Sequence, residues 1–112
     1  MTAPSRGEVV LIRFVFADET GEKLRPALVV SADSYHAGRQ EVIVAAITSN
    51  RDRALFGDVA IRSWEPAGLL LPSVVTGIVR TVKRAMIAKR VGALSGSDMA
   101  LVDTELRRCL SL

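Results

Sequence analysis

The apolar residues of this chain come in short β-branched runs, and each run is cut off by a turn signal before it reaches ordinary helix length. Gly7 to Phe16 (GEVVLIRFVF) predicts a strand. Ala17 to Leu24 (ADETGEKL) is charged, carries a glycine and reads as a loop. Arg25 to Ser31 (RPALVVS) opens on Pro26, which a strand start tolerates because no interior ladder bond is lost there, and a buried strand follows. Ala32 to Gln40 has few apolar residues and reads as another loop, and Glu41 to Thr48 (EVIVAAIT) as a third strand. Asn50 to Arg53 is a charged turn, Gly57 to Ile61 a short edge strand, and Ser63 to Gly68 a loop. Leu69 to Val82 is again strongly β-branched, with Gly77 marking a bulge or bend. Met86 to Leu94 (MIAKRVGAL) closes the sheet.

After Leu94 the period changes. Ser95 with Asp98 three residues on has the spacing of a capping box. Met99, Val102, Leu106, Cys109 and Leu110 then recur at three- and four-residue intervals, which makes one apolar helical stripe, and Arg107 and Arg108 suit the negative end of that helix. The expected fold is therefore mainly β with a C-terminal α-helix, a small barrel or sandwich of about six strands. With 112 residues, 49% of them hydrophobic, residues 1–112 suffice for one domain with its own core. Cys109 is the lone cysteine, so an intrachain disulfide is impossible; it is expected as a small core residue in a protein of the reducing cytoplasm. The first residues are not followed by a signal-type apolar segment, and no run has transmembrane length, so no membrane association is expected.

The formal charge of +3 says little, but its distribution says more. From Arg80 to Arg90 lie five basic residues and no acid, a stripe that suits either a polyanion or an ordinary solvated surface. His36, the single histidine, falls in the expected loop and reads as a surface residue, which rules out catalysis by a histidine pair. Without paired histidines, paired cysteines or carboxylates at ligand spacing, no metal is expected. Without a phosphate-binding glycine motif, no nucleotide cofactor is expected either. Among the few aromatic residues, Phe14 and Phe16 share a strand face and suit either base stacking or the core, while Trp64 reads as packing over the end of the sheet.

Four stretches occur in an order that resembles one family. They are Arg6-Gly7-Glu8-Val9-Val10, then Arg25-Pro26-Ala27-Leu28-Val29-Val30-Ser31, then Val44-Ala45-Ala46-Ile47-Thr48-Ser49-Asn50, and last Lys89-Arg90-Val91-Gly92-Ala93-Leu94-Ser95 ahead of a helix with Val102-Asp103. In these the chain resembles the MazF/PemK ribonucleases of toxin–antitoxin systems along nearly its whole length. The resemblance implies an SH3-like barrel of the MazF/CcdB kind that forms a homodimer. It implies cleavage of single-stranded RNA at short motifs without a metal, and a cognate antitoxin that covers the RNA site.

Cleavage by a ribose 2′-hydroxyl requires that the hydroxyl lose a proton, that charge on the phosphorane be neutralised, and that the leaving oxygen gain a proton. The planar fork of arginine suits the second task. The resemblance gives that task to Arg25, which otherwise reads as a surface arginine paired with a loop acid such as Glu22. It gives Thr48 the role of hydroxyl donor, with Ser49 as a helper, where the plain alternative is a strand-end threonine capping a turn at Asn50. Arg80, Lys83 and Arg84 are the candidate RNA-binding cations. The chain departs from the family between Val74 and Val82, where neither an acid nor an amide is present. That departure keeps a second reading open: a toxin or binding module on the same fold that acts without cleavage, by binding gyrase or RNA.

Overall fold

The computed structural model describes residues 3–15, 22–53 and 55–112, with all side chains in them except those of residues 14, 15 and 22. The stacking candidates Phe14 and Phe16, and most of the expected loop after them, therefore lie outside the described residues. Strands β1 (Glu8–Val15), β2 (Glu22–Val29), β3 (Glu41–Thr48), β4 (Val59–Ala60), β5 (Val74–Lys83) and β6 (Ile87–Ala93) form one antiparallel sheet in the order β4-β5-β3-β2-β1-β6. A short helix α1 (Asp33–Ala37) precedes β3, and the long helix α2 (Gly96–Leu110) ends the chain.

Side chains alternate across a strand, and here both faces are buried, which explains why the central runs are almost continuously apolar. Val9, Leu28, Ala45, Ile47 and Val75 pack on one face with Val102 of α2, and the half-buried Trp64 closes over them as the sequence suggests. Val10, Ile12, Ala27, Val29, Val44 and Val82 pack on the other. Mainly β with a terminal helix is what the sequence implies. The sheet, however, is open: among the described residues no ladder joins its edge strands β4 and β6. The segment after β4 spans that gap instead, lying backbone against backbone on β6. A Cβ on Gly92 would stand 2.2 Å from the Ala67 carbonyl oxygen, and one on Gly68, already at φ +87°, would stand 2.1 Å from that of Val91.

Three boundaries and one burial differ from expectation. β2 begins at Glu22, so Glu22 to Leu24 are strand and Pro26 lies inside it; pairing with β1 through Val15 and Glu22 draws these polar residues into the ladder. The expected loop of residues 32–40 contains α1, whose single helical turn is too short to show a period. The run from Leu69 becomes strand only at Val74, because Leu69 to Ser73 belong to the bridging segment. Cys109 is instead exposed on the last turn of α2, with its sulfur beside Gly57 and Gly77, which have no side chains to cover it.

Gly77 does lie in a bulge. Ala45 pairs with Val79 but Ile47 pairs with Val75, so Ala46 faces the three residues Thr76, Gly77 and Ile78. Thr76 holds the distortion: its hydroxyl donates to the Ala46 carbonyl at 2.9 Å and accepts from the Ile78 N–H at 3.1 Å. At the start of α2, the Ser95 hydroxyl accepts from the Asp98 N–H at 3.1 Å, as a cap should. The Asp98 carboxylate does not complete the box. Fully buried, it accepts from Arg62 N at 3.1 Å and Ser63 N at 2.9 Å and so ties the bridging segment to the helix.

Candidate functional site

The site follows from where two strands part. β2 pairs with β3 only over Ala27 to Val29, against Val44 to Ala46. Before Ala27, β2 pairs with β1; after Ala46, β3 pairs with β5. Pro26, with no N–H to offer a ladder, stands at the point of divergence. Two adjoining cavities of about 430 and 530 Å³ open there, and Arg25, Pro26 and Ile47 line both.

Arg25 is an exposed side chain on a strand anchored opposite Ile12 of β1, so its guanidinium stands on a rigid base between the two cavities. Thr48 and Ser49 line the larger cavity with it. The Thr48 hydroxyl oxygen accepts from Asn50 N at 3.1 Å, the plain turn-capping contact. That contact uses a lone pair and leaves the O–H proton free to donate elsewhere, so capping and catalysis are compatible. Arg80 lines the smaller cavity together with Ile78, the last residue of the bulge, and Val82.

The other two nominated cations are not brought to the cavities. Lys83 bonds Glu41 at 2.8 Å, and that bond, with help from Arg39, holds the Glu41 carboxyl below its usual range against the opposing effect of burial. Arg84 donates to the carbonyls of His36 at 2.7 Å and Arg39 at 3.2 Å, fastening the turn before β6 to the end of α1. His36 is a core residue and not a surface one: it is 2% exposed, with Nε2 at 2.5 Å from the Ser31 hydroxyl. Formation of α1 turns it inward.

Three groups at the site were not nominated from sequence. Lys23 lines the smaller cavity and Lys89 the larger, so among the described residues the ionisable side chains lining the two are Lys23, Arg25, Arg80 and Lys89, all basic. Lys89 sits in the basic stripe, which was the available signal. Leu70 and Leu71 form part of the larger cavity's wall, and a run of three leucines gives no sequence sign that two of them face water. Among the described residues no group of His, Cys, Asp or Glu is arranged to hold a metal ion. No described helix is long and apolar enough to cross a membrane.

Residues 5–110 match the family of PemK-like, MazF-like toxins of type II toxin–antitoxin systems. The chain belongs to the MazF/PemK family. The endoribonuclease MazF6 of Mycobacterium tuberculosis is 34% identical in a 101-residue alignment covering 80% of this chain and 81% of that protein. The endoribonuclease MazF2 of Mycobacterium bovis matches to the same extent. In fold, the chain resembles a mycobacterial endoribonuclease solved in complex with its cognate antitoxin, with TM-score 0.78 and 24% identity over 98% of this chain and 97% of that one. MazF of Deinococcus radiodurans gives TM-score 0.76 and 24% identity over 100% of both chains. In this MazF/PemK toxin the four stretches quoted above map to β1, β2, β3 and the β6–α2 junction.

Proposed function

We propose that this toxin is an endoribonuclease that cleaves single-stranded RNA, mRNA above all, between β2 and β3 without a metal, using Arg25 and Thr48. The observation that carries the reading is that Arg25, Thr48 and Ser49 line one cavity, in a groove whose ionisable lining, among the described residues, is basic. Its relatives are named endoribonucleases.

The phosphodiester backbone enters along the cations. The 2′-oxygen attacks phosphorus, its proton leaves to solvent, and the 5′-oxygen departs and takes up a proton. Arg25 meets the phosphorane oxygens with two parallel N–H donors, and the Thr48 hydroxyl gives a further hydrogen bond to one of them. Arg80, Lys23 and Lys89 hold neighbouring phosphates. The reading includes a homodimer acting in the cytoplasm and a cognate antitoxin that covers the groove. Related toxins have been solved with their antitoxins, a mycobacterial endoribonuclease and MazF of Deinococcus radiodurans with MazE.

The test is incubation of purified wild type and Arg25→Ala with a long RNA in the presence of chelator. Wild type gives discrete cuts, and Arg25→Ala gives none while keeping the wild-type circular dichroism and its growth-arrest effect disappears. Cleavage by Arg25→Ala at the wild-type rate sinks the assignment. The basic lining described for the groove also favours one second reading, a toxin that binds without cutting. Intact RNA beside gyrase retained by the wild-type protein would establish that one.

A further inference from the structure

Leu70 is 92% exposed and Leu71 58%, at the wall of the cavity that Arg25 and Thr48 share. A large apolar side chain on a mobile loop can fold back against the surface, but these two are held out. The segment carrying them is fixed at three places. Both Asp98 carboxylate oxygens bind its start at Arg62 and Ser63. Gly68 lies against the β6 backbone with no room for a Cβ. At its end, the Ser73 carbonyl accepts from Ile61 N at 3.0 Å. Pro26 and Leu24, the latter 44% exposed, line the same cavity from β2. The apolar wall thus has a polar and cationic border of Arg25, Thr48, Ser49 and Lys89.

An apolar slot beside phosphate-binding groups matches the amphiphilic shape of a nucleotide, with a flat face and a charged link. The reaction also needs it. In stacked RNA the 2′-oxygen is not in line with the bond that breaks, so a base beside the scissile phosphate must leave the stack. Extruded bases are held between apolar or aromatic side chains. We infer that Leu70 and Leu71, with Leu24 and Pro26 of β2, clasp one unstacked base adjacent to the scissile phosphate and thereby position the 2′-oxygen and help set the cleavage motif.

The inference rests on the endoribonuclease reading, and the test separates the two. Leu70→Ser and Leu71→Ser remove apolar surface from exposed positions. Each variant and wild type is given the RNA that wild type cuts, and the same RNA with an abasic ribonucleotide on either side of the cut. An abasic ribonucleotide keeps the 2′-hydroxyl and loses only the base. With the intact RNA each variant should lose roughly 5- to 100-fold in cleavage rate, the range expected for one stacked base. At one of the two positions the abasic RNA should slow wild type by a similar factor but slow the variants little further. Independent, multiplying losses overturn the inference. So do variants that cut as wild type while losing self-association or binding of an antitoxin peptide, since the leucines would then face protein. A wild type that cuts no RNA overturns the endoribonuclease reading and this one with it.

Discussion

On the proposed function, the hydroxyl of Thr48 serves structure and chemistry together. Its oxygen accepts from Asn50 N, which leaves its proton to donate to an RNA in the cavity that Thr48 lines. Thr48→Val keeps shape and β-propensity while removing both bonds. Asn50 is exposed, so water replaces the lost cap. Cleavage should fall roughly a hundredfold, the scale for loss of one transition-state donor, with the thermal midpoint almost unchanged, and Thr48→Ser should restore most of the rate. The turn that follows is held by Arg53, whose guanidinium meets both oxygens of Asp58 at 2.9 and 3.1 Å. The Arg53 bond, with the Leu55 N–H, holds the Asp58 carboxyl below its usual range despite desolvation. A carboxyl whose folded pKa lies below the unfolded value stabilises fully above the ordinary aspartate value of about 3.9, and the contribution is lost as pH falls through the depressed folded value. Thermal midpoints measured from neutral to strongly acidic pH should therefore show part of the acid-side loss in wild type and less of it in Arg53→Ala. Identical acid limbs would mean that the pair adds nothing.

At the scale of elements, the strands were readable because their composition and length leave no other choice. α2 was readable from its stripe and its Ser95 cap. Ser95→Ala should cost about 1 kcal/mol in urea unfolding. The misplaced strand boundaries share a cause: they depend on pairing and packing that local composition does not show. Glu22 to Leu24 look like loop until β1 pairs with them. Leu69 to Ser73 look like strand until the segment is committed to β6 and Asp98. That commitment rests on Gly92, a residue whose sequence context advertises nothing. A methyl there would meet the Ala67 carbonyl oxygen at 2.2 Å, in a contact between two backbones that cannot swing aside. Gly92→Ala should destabilise the protein by about 2–3 kcal/mol, as overpacking does, and should also slow cleavage by displacing the leucine wall. Unchanged unfolding midpoints would show that the segment yields easily, and would weaken the claim that Leu70 and Leu71 are held rigidly in water.

For the molecule as a whole, Arg25 and Thr48 were legible only through the pattern of stretches around them. The groove between them was not legible at all, because it arises from β2 and β3 parting at Pro26, a property of the assembled sheet. The basic stripe was half informative: Arg80 and Lys89 reach the cavities, while Lys83 serves Glu41 and Arg84 serves two carbonyls. The assembled groove also carries a kinetic consequence. Among the described residues neither cavity is lined by Asp, Glu or His, and His36 is buried against Ser31. A side-chain base would make the rate rise through its own pKa and then level off. On the proposed endoribonuclease reading, with arginines and lysines as the ionisable groups of the described lining, the 2′-oxygen would give its proton to hydroxide, whose concentration grows tenfold per pH unit. Under single-turnover conditions the cleavage rate should climb steadily between about pH 5.5 and 8.5, with no inflection in the histidine or carboxylate range. A levelling near about pH 6.5 or below would place a proton acceptor at the phosphate, and for a groove so lined that group would have to come from another chain or from the residues between β1 and β2.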